Sequence, residues 1–344
     1  MLHLENKTPF AATAVPMDDP SGHSVMVLCA RVTLRLPEPG DAPDAAAQLA
    51  DDQPPPALVE RFRGDPRTTS LEEADQTVCE RVGTDVVLVG HAKAANDRPT
   101  PALRVRVRVG ALDAALVVIG DRRWERTALG PAPTRPEPFV RMPLVWERAF
   151  GGTRVEGDRV EHCAENPVGE GICLDARDAE GRALPNLEDP RAPVARWSDR
   201  PRPACFAPIA RHWAPRARLA GTFDDAWATR RAPLLPRDFD PRFFSAAPEA
   251  LRAPEELRPG ARVRLEGVHP AGAIELTLPE LPILFEGGTS RGVFQARPLL
   301  DAIRFEPDSR RYSLFLRHVQ RLPAGVFSFR GATLRFTRGA ERVA

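Results

Sequence analysis

Hydrophobic and polar residues alternate most cleanly over residues 26–36. Met26, Leu28, Ala30, Val32, Leu34 and Leu36 fall on one side, and Arg31, Thr33 and Arg35 on the other. A period of two is that of a β-strand, and the polar second side predicts a strand buried on one face only. The run Asp18-Asp19-Pro20-Ser21-Gly22 just before it is strong turn chemistry, so residues 10–15 are predicted to complete a hairpin. Residues 84–92, TDVVLVGHA, form a short apolar run suited to a strand covered on both faces. Leu103, Val105, Val107 and Val109 then alternate with Arg104, Arg106 and Arg108, and residues 116–119 add a further strand. Arginines on the outward side read as an antiparallel sheet wetted on one face. An anionic partner lying on the arginine ladder is the alternative.

The same pattern returns after residue 260. Val263 and Leu265 with Ile274, Leu276 and Leu278 flank a glycine-containing turn as a hairpin. Residues 302–305 and 312–316 flank the turn EPDSRR, and residues 326–329 and 333–336 flank Arg330-Gly331-Ala332 as a third hairpin. Residues 144–150 and 248–257 have room for a helical turn each, but a 3.6-residue period is nowhere sustained. The pattern predicts a mainly β fold of antiparallel, sandwich-like sheets with long Pro-rich irregular loops and little helix. Residues 1–148 read as an N-terminal β region and residues 149–344 as a Pro-rich belt followed by hairpins, the two halves also being compatible with one continuous domain.

Two stretches lack the pattern. Residues 37–57 are dominated by Pro, Ala and Asp and read as an exposed, mobile loop. Residues 196–248 are equally rich in proline, which excludes long helices, yet hold Trp197, Trp213 and Trp227 with Phe206, Phe223, Phe239, Phe243 and Phe244. Rings of that size need a packed home, so this belt is predicted to be ordered, irregular and pinned to a core.

Composition narrows the function classes. The formal net charge is +1, which gives no bulk electrostatic case for nucleic acid or a membrane surface. Lys7 and Lys93 are the only lysines, an arginine bias that fits a GC-rich genome. Five scattered cysteines fit reduced thiols, and the N-terminal residues lack a signal-peptide pattern, so a cytoplasmic location is expected. Phosphate-binding glycine motifs and the Gly-x-Ser-x-Gly elbow are absent, and no cofactor is expected.

The remaining candidates are weak. His162, Cys163, Cys173, Cys205 and His212 include soft ligands but lack paired metal-ligand spacing, so no metal site is expected. Cys163 beside His162 and Glu165 is the one local thiol–base cluster, read as a surface loop. Asp224, Asp225, Asp238 and Asp240 would serve a hydrolase if they converged in a cleft with a raised pKa, and otherwise read as turn and ion-pair residues. Exposed, parallel belt tryptophans would instead mark a carbohydrate- or peptide-binding β module.

The ordered motifs GDRRW (120–124), WERAFGG (146–152), ENPVGEG (165–171), LPNLEDP (184–190), DRPRPACFAPIARHWAPR (199–216), GTFDDAW (221–227) and PLLPRDFDPRFFSAAP (233–248) carry a resemblance. Together with TDVVLVGHA they resemble the bacterial domain of unknown function 2169 family, encoded beside type VI secretion genes, over essentially the whole chain. The chain departs from the family pattern at residues 79–82, where Cys-Glu-Arg-Val replaces a Lys-Pro. It departs again at Phe315-Leu316-Arg317, in place of a Trp-Arg pair. The resemblance implies a non-enzymatic adaptor or chaperone whose partner is a secreted effector, or a spike or PAAR-tip protein, from a neighbouring gene. It carries no catalytic residue across. Asn166, Pro167, Gly169, Trp213, Asp224, Trp227 and Asp238 are the motif residues expected to serve the fold or the partner.

Overall fold

The computed structural model describes residues 3–337. Residues 11–18 and 24–35 pair as the expected antiparallel hairpin, and they form one side of a six-stranded sheet. Across that sheet the order is Arg252–Ala253, Thr84–Leu88, Leu299–Glu306, Arg311–Arg321, Ser24–Arg35 and Ala11–Asp18. Thr84–Leu88 and Leu299–Glu306 run parallel, while the other neighbours are antiparallel. A five-stranded antiparallel sheet follows the order Leu187–Glu188, Leu112–Ile119, Ala102–Val109, Arg262–Glu266 and Ile274–Thr277. Both sheets draw strands from either side of residue 148.

The two sheets share one core. Met26, Leu28, Val32 and Leu34 from the first meet Val105, Val107, Val109, Leu116 and Val263 from the second in a single apolar cluster. Each such side chain stabilises the fold by roughly 1.5–3 kcal/mol when fully removed from water. The fold is mainly β as expected, and its helices are single turns or little more. None of the described helices is long and apolar enough to cross a membrane.

The polar side of residues 24–35 differs from expectation. Arg31 and Thr33 are buried, and only Arg35 reaches water. The segment after residue 50 folds over that face. Arg31 pairs with Glu73 at 2.8 Å and lies 3.7 Å from Glu306, while Arg304 pairs with Glu306. Arg317 pairs with Asp301, and Thr33 and Ser313 hydroxyls bond across the strands at 3.1 Å. A charged layer thus lies inside the molecule because a second layer of chain covers it. The tail of the loop at 37–57 is also tied down. Ala50 N–H donates to the Thr33 carbonyl, and the Gln53 amide bonds the same residue's backbone on both sides.

The third predicted hairpin is replaced by one strand. Phe329–Phe336 is continuous, and Val326–Ser328 is a 3-10 turn leading into it. Gly331 does not make a turn there. It adopts φ of 120° opposite Gly288, beside a register shift, where a strand glycine commonly marks an irregularity. The partner of this strand is Ile283–Thr289, flanked by Gly292–Ala296, with Leu4–Asn6 on the far side.

The belt is ordered by a few anchors. Trp213 is buried edge-to-face against Trp146, with ring centroids 5.9 Å apart, and the Trp146 indole N–H donates to the carbonyls of Ala207 and Pro208. The Arg216 guanidinium donates to the Ile209 and Phe243 carbonyls and pairs with Glu60 at 2.7 Å. Its burial pulls it down to about 10, against the opposing pull of Glu60. Asp85, on the strand next to the outermost one, accepts N–H bonds from Ala246 and Ala247 at 2.7 and 3.2 Å, which fixes the end of the belt.

Candidate functional site

Four of the sequence motifs fold into one knot beside the five-stranded sheet. Arg148 donates to Asp121 and to Asn186, each at 2.9 Å, and the Asn186 amide returns to the Ile119 carbonyl. Arg122 donates to Glu188 at 2.6 Å. A second apolar cluster forms around the knot, made by Trp124, Phe150, Ile172, Cys173, Leu184 and Val194, with Trp197 packed on it. Asn166 is buried inside, its side-chain amide donating to the Trp146 and Phe150 carbonyls at 2.8 and 3.0 Å. Gly169 is required by this packing, because a Cβ there would stand 2.3 Å from the Asn166 amide nitrogen and 2.6 Å from the Ala149 carbonyl. Pro167 lies half-buried between these two residues.

The other motif residues lie elsewhere. Trp213 belongs to the main core. Asp224 caps the Asp225–Arg230 helix by accepting the Trp227 N–H at 2.7 Å. Trp227 stacks edge-on against exposed Phe223 and donates its indole N–H to the Leu234 carbonyl. Asp238 accepts both the backbone N–H and hydroxyl of Thr222, and these bonds hold its carboxyl below the usual range. Asp240 is held low by Arg242, whose guanidinium lies 2.5 Å away. These carboxylates are thus engaged singly in caps, turns and an ion pair. The belt tryptophans occupy three different environments and share no exposed face.

The soft ligands are also dispersed. His162 bonds the Thr153 hydroxyl at 2.6 Å, His212 packs on Phe62, and all five cysteines are free. Burial pushes the Cys173 thiol up to about 11 and the Cys205 thiol up to about 12, which suppresses thiolate formation. Among the described residues no three of His, Cys, Asp and Glu form a metal-sized cluster.

What the chain does build is a groove of about 920 Å³. Its floor is apolar, with Trp146, Leu116, Cys205, Phe206 and Ile209. Its walls are belt segments stiffened by Pro203, Pro215 and Pro248. One side is residues 113–116 of the Leu112–Ile119 strand. That strand lies next to the sheet edge, but its outer neighbour Leu187–Glu188 reaches only Val117 and Val118. The Glu249–Leu251 turn packs near the strand without pairing to it.

Electrostatically the groove is rich in arginine. Arg106 forms a two-armed pair with Asp113 that raises the guanidinium and lowers the carboxyl. Arg202 lies 3.2 Å from Glu249, and Arg218 3.5 Å from Glu165. Arg104 is exposed, and among the described residues it has no ion-pair partner. Arg252 donates to the Ala247 carbonyl, and its burial lowers its pKa against the raising effect of Asp85. Sequence reasoning placed Arg104 and Arg106 on a ladder facing outward, but had no signal for which strand edge stays open.

Comparison with known proteins gives one family. A search of curated proteins found no match, and neither did a search of solved structures. The family model described as "uncharacterized protein conserved in bacteria (DUF2169)" matches residues 21–317, which takes in the whole five-stranded sheet, all of the six-stranded sheet but its Ala11–Asp18 strand and the end of Arg311–Arg321, and every motif named above. The chain therefore belongs to the bacterial domain of unknown function 2169 family.

Proposed function

We propose that this protein is a non-enzymatic adaptor or chaperone that holds a type VI secretion effector and assists its loading onto the secretion spike. The secretion context comes from the family resemblance of the ordered motifs. The observation that carries the binding role is the groove, where rigid proline walls, an apolar floor and unpaired arginine meet an open strand edge. Such a surface suits a protein partner, since strand edges and apolar grooves are what chaperone–client contacts use. The carboxylates that a hydrolase reading needs are spread over separate local contacts.

Co-expression with each product of the adjacent genes, followed by size-exclusion chromatography, tests the proposal. The expected result is co-elution with one effector or spike-tip protein that is insoluble or degraded when expressed alone. Elution as the free protein beside every neighbour would overturn it.

A further inference from the structure

The open edge at residues 113–116 has a defined hydrogen-bonding capacity. Ile119 N–H donates to the Asn186 carbonyl, on the side away from the Ala102–Val109 strand. Backbone groups in an antiparallel strand alternate between neighbours, so Val117, Ala115 and Asp113 direct their N–H and C=O to that same side. Val117 meets the short Leu187–Glu188 strand there. Ala115 and Asp113 meet no strand, and among the described residues their outward groups find no backbone partner. They therefore present a short row of donors and acceptors along the groove.

The register places charge beside that row. Arg104 pairs opposite Val117 and Arg106 opposite Ala115, so these arginines share the face of the Ala115 side chain. Six arginines and four carboxylates line the groove, an excess of two positive charges. Arg106 is neutralised by Asp113, which leaves Arg104 and Arg252 in the groove lining without an ion-pair partner among the described residues. Natural sheets usually blunt such an edge with charges, a bulge, or a covering helix or loop. Here the Glu249–Leu251 turn packs near the strand but makes no backbone bond to Asp113 or Ala115 among the described residues.

We infer that the groove takes an extended, acidic segment of a partner protein, added as a strand to residues 113–116. Main-chain bonds to Asp113 and Ala115 would hold the segment. Alternate side chains would point to the apolar floor and to Arg104 and Arg252. The inference rests on the adaptor reading for its biological partner, but its geometry is tested separately.

The test is fluorescence anisotropy with a fluorescein-labelled peptide alternating valine and glutamate, compared with the valine–lysine version. Two variants accompany the full chain. Ala115→Pro removes an outward donor while sparing the inward ladder, the position where a strand tolerates proline. Arg104→Glu reverses an exposed charge and keeps the test valid if the proline variant does not fold. The inference predicts saturable binding of the glutamate peptide alone, weakened by about tenfold or more in each folded variant.

Absence of binding, equal binding of the lysine peptide, or binding unmoved by the variants would overturn it. So would a concentration-dependent dimer in light scattering that Arg104→Glu dissolves, since a second copy would then be the occupant. A neighbour-encoded complex that survives both substitutions would remove this assignment and leave the adaptor reading standing. Peptide binding with no neighbour-encoded partner would do the reverse.

Discussion

Glu170, half-buried in the ENPVGEG turn, is the clearest case of a single residue whose environment sets its chemistry. Burial raises its carboxyl to about 7; Arg148 opposes that shift and Asp121 adds to it. The group binds its proton more tightly folded than unfolded. Its stabilising contribution is therefore complete below the ordinary glutamate range and is lost as pH rises through about 7. Glu170→Gln, which stays neutral, is expected to match the parent in melting temperature near pH 4 and to exceed it near pH 8. Thermal denaturation across that range checks it, and parallel pH curves would refute it. Carboxyls such as Glu306 behave oppositely. Burial would raise that group too, but Arg304 and Arg311 outweigh burial and hold it low, so its contribution is lost as pH falls.

At the scale of elements, the covered polar face of the six-stranded sheet makes the strongest energetic statement. Arg31 and Glu73 are both buried, and removing one partner strands the other's charge. Glu73→Ala is expected to cost about 3 kcal/mol, near the lower end for such a pair because Glu306 remains 3.7 Å from Arg31. The double change Arg31→Met with Glu73→Leu should recover most of that loss, since apolar replacement of a buried pair is often neutral. Urea unfolding of the two variants decides the point, and equal losses in both would contradict it.

Alternation at residues 26–36 identified a two-faced strand, as did the pattern at 103–109 and 263–278. It could not show what covers the second face, because Glu73 comes from a weakly patterned segment far along the chain. Gly331 misled for a related reason. Arg330-Gly331-Ala332 between two apolar runs reads as a turn, and only the opposing Gly288 and the distant Ile283–Thr289 strand make it a bulge site.

For the whole molecule, the sequence order of the motifs was enough to indicate the family, and the model match over residues 21–317 agrees. The groove was not legible. It depends on Leu187–Glu188 being too short to cover residues 113–116 and on belt segments anchored by Trp146, Arg216 and Asp85. Those are relations between segments far apart in sequence, invisible to local periodicity. The consequence is a groove assembled from several motifs, none of which lines it alone. Amide hydrogen exchange of the protein, alone and mixed with each product of the adjacent genes, tests this account most directly. The account predicts that one neighbour slows exchange at Asp113 and Ala115, whose outward amides otherwise have no backbone partner among the described residues. Unchanged exchange at those amides in the presence of every neighbour would contradict it.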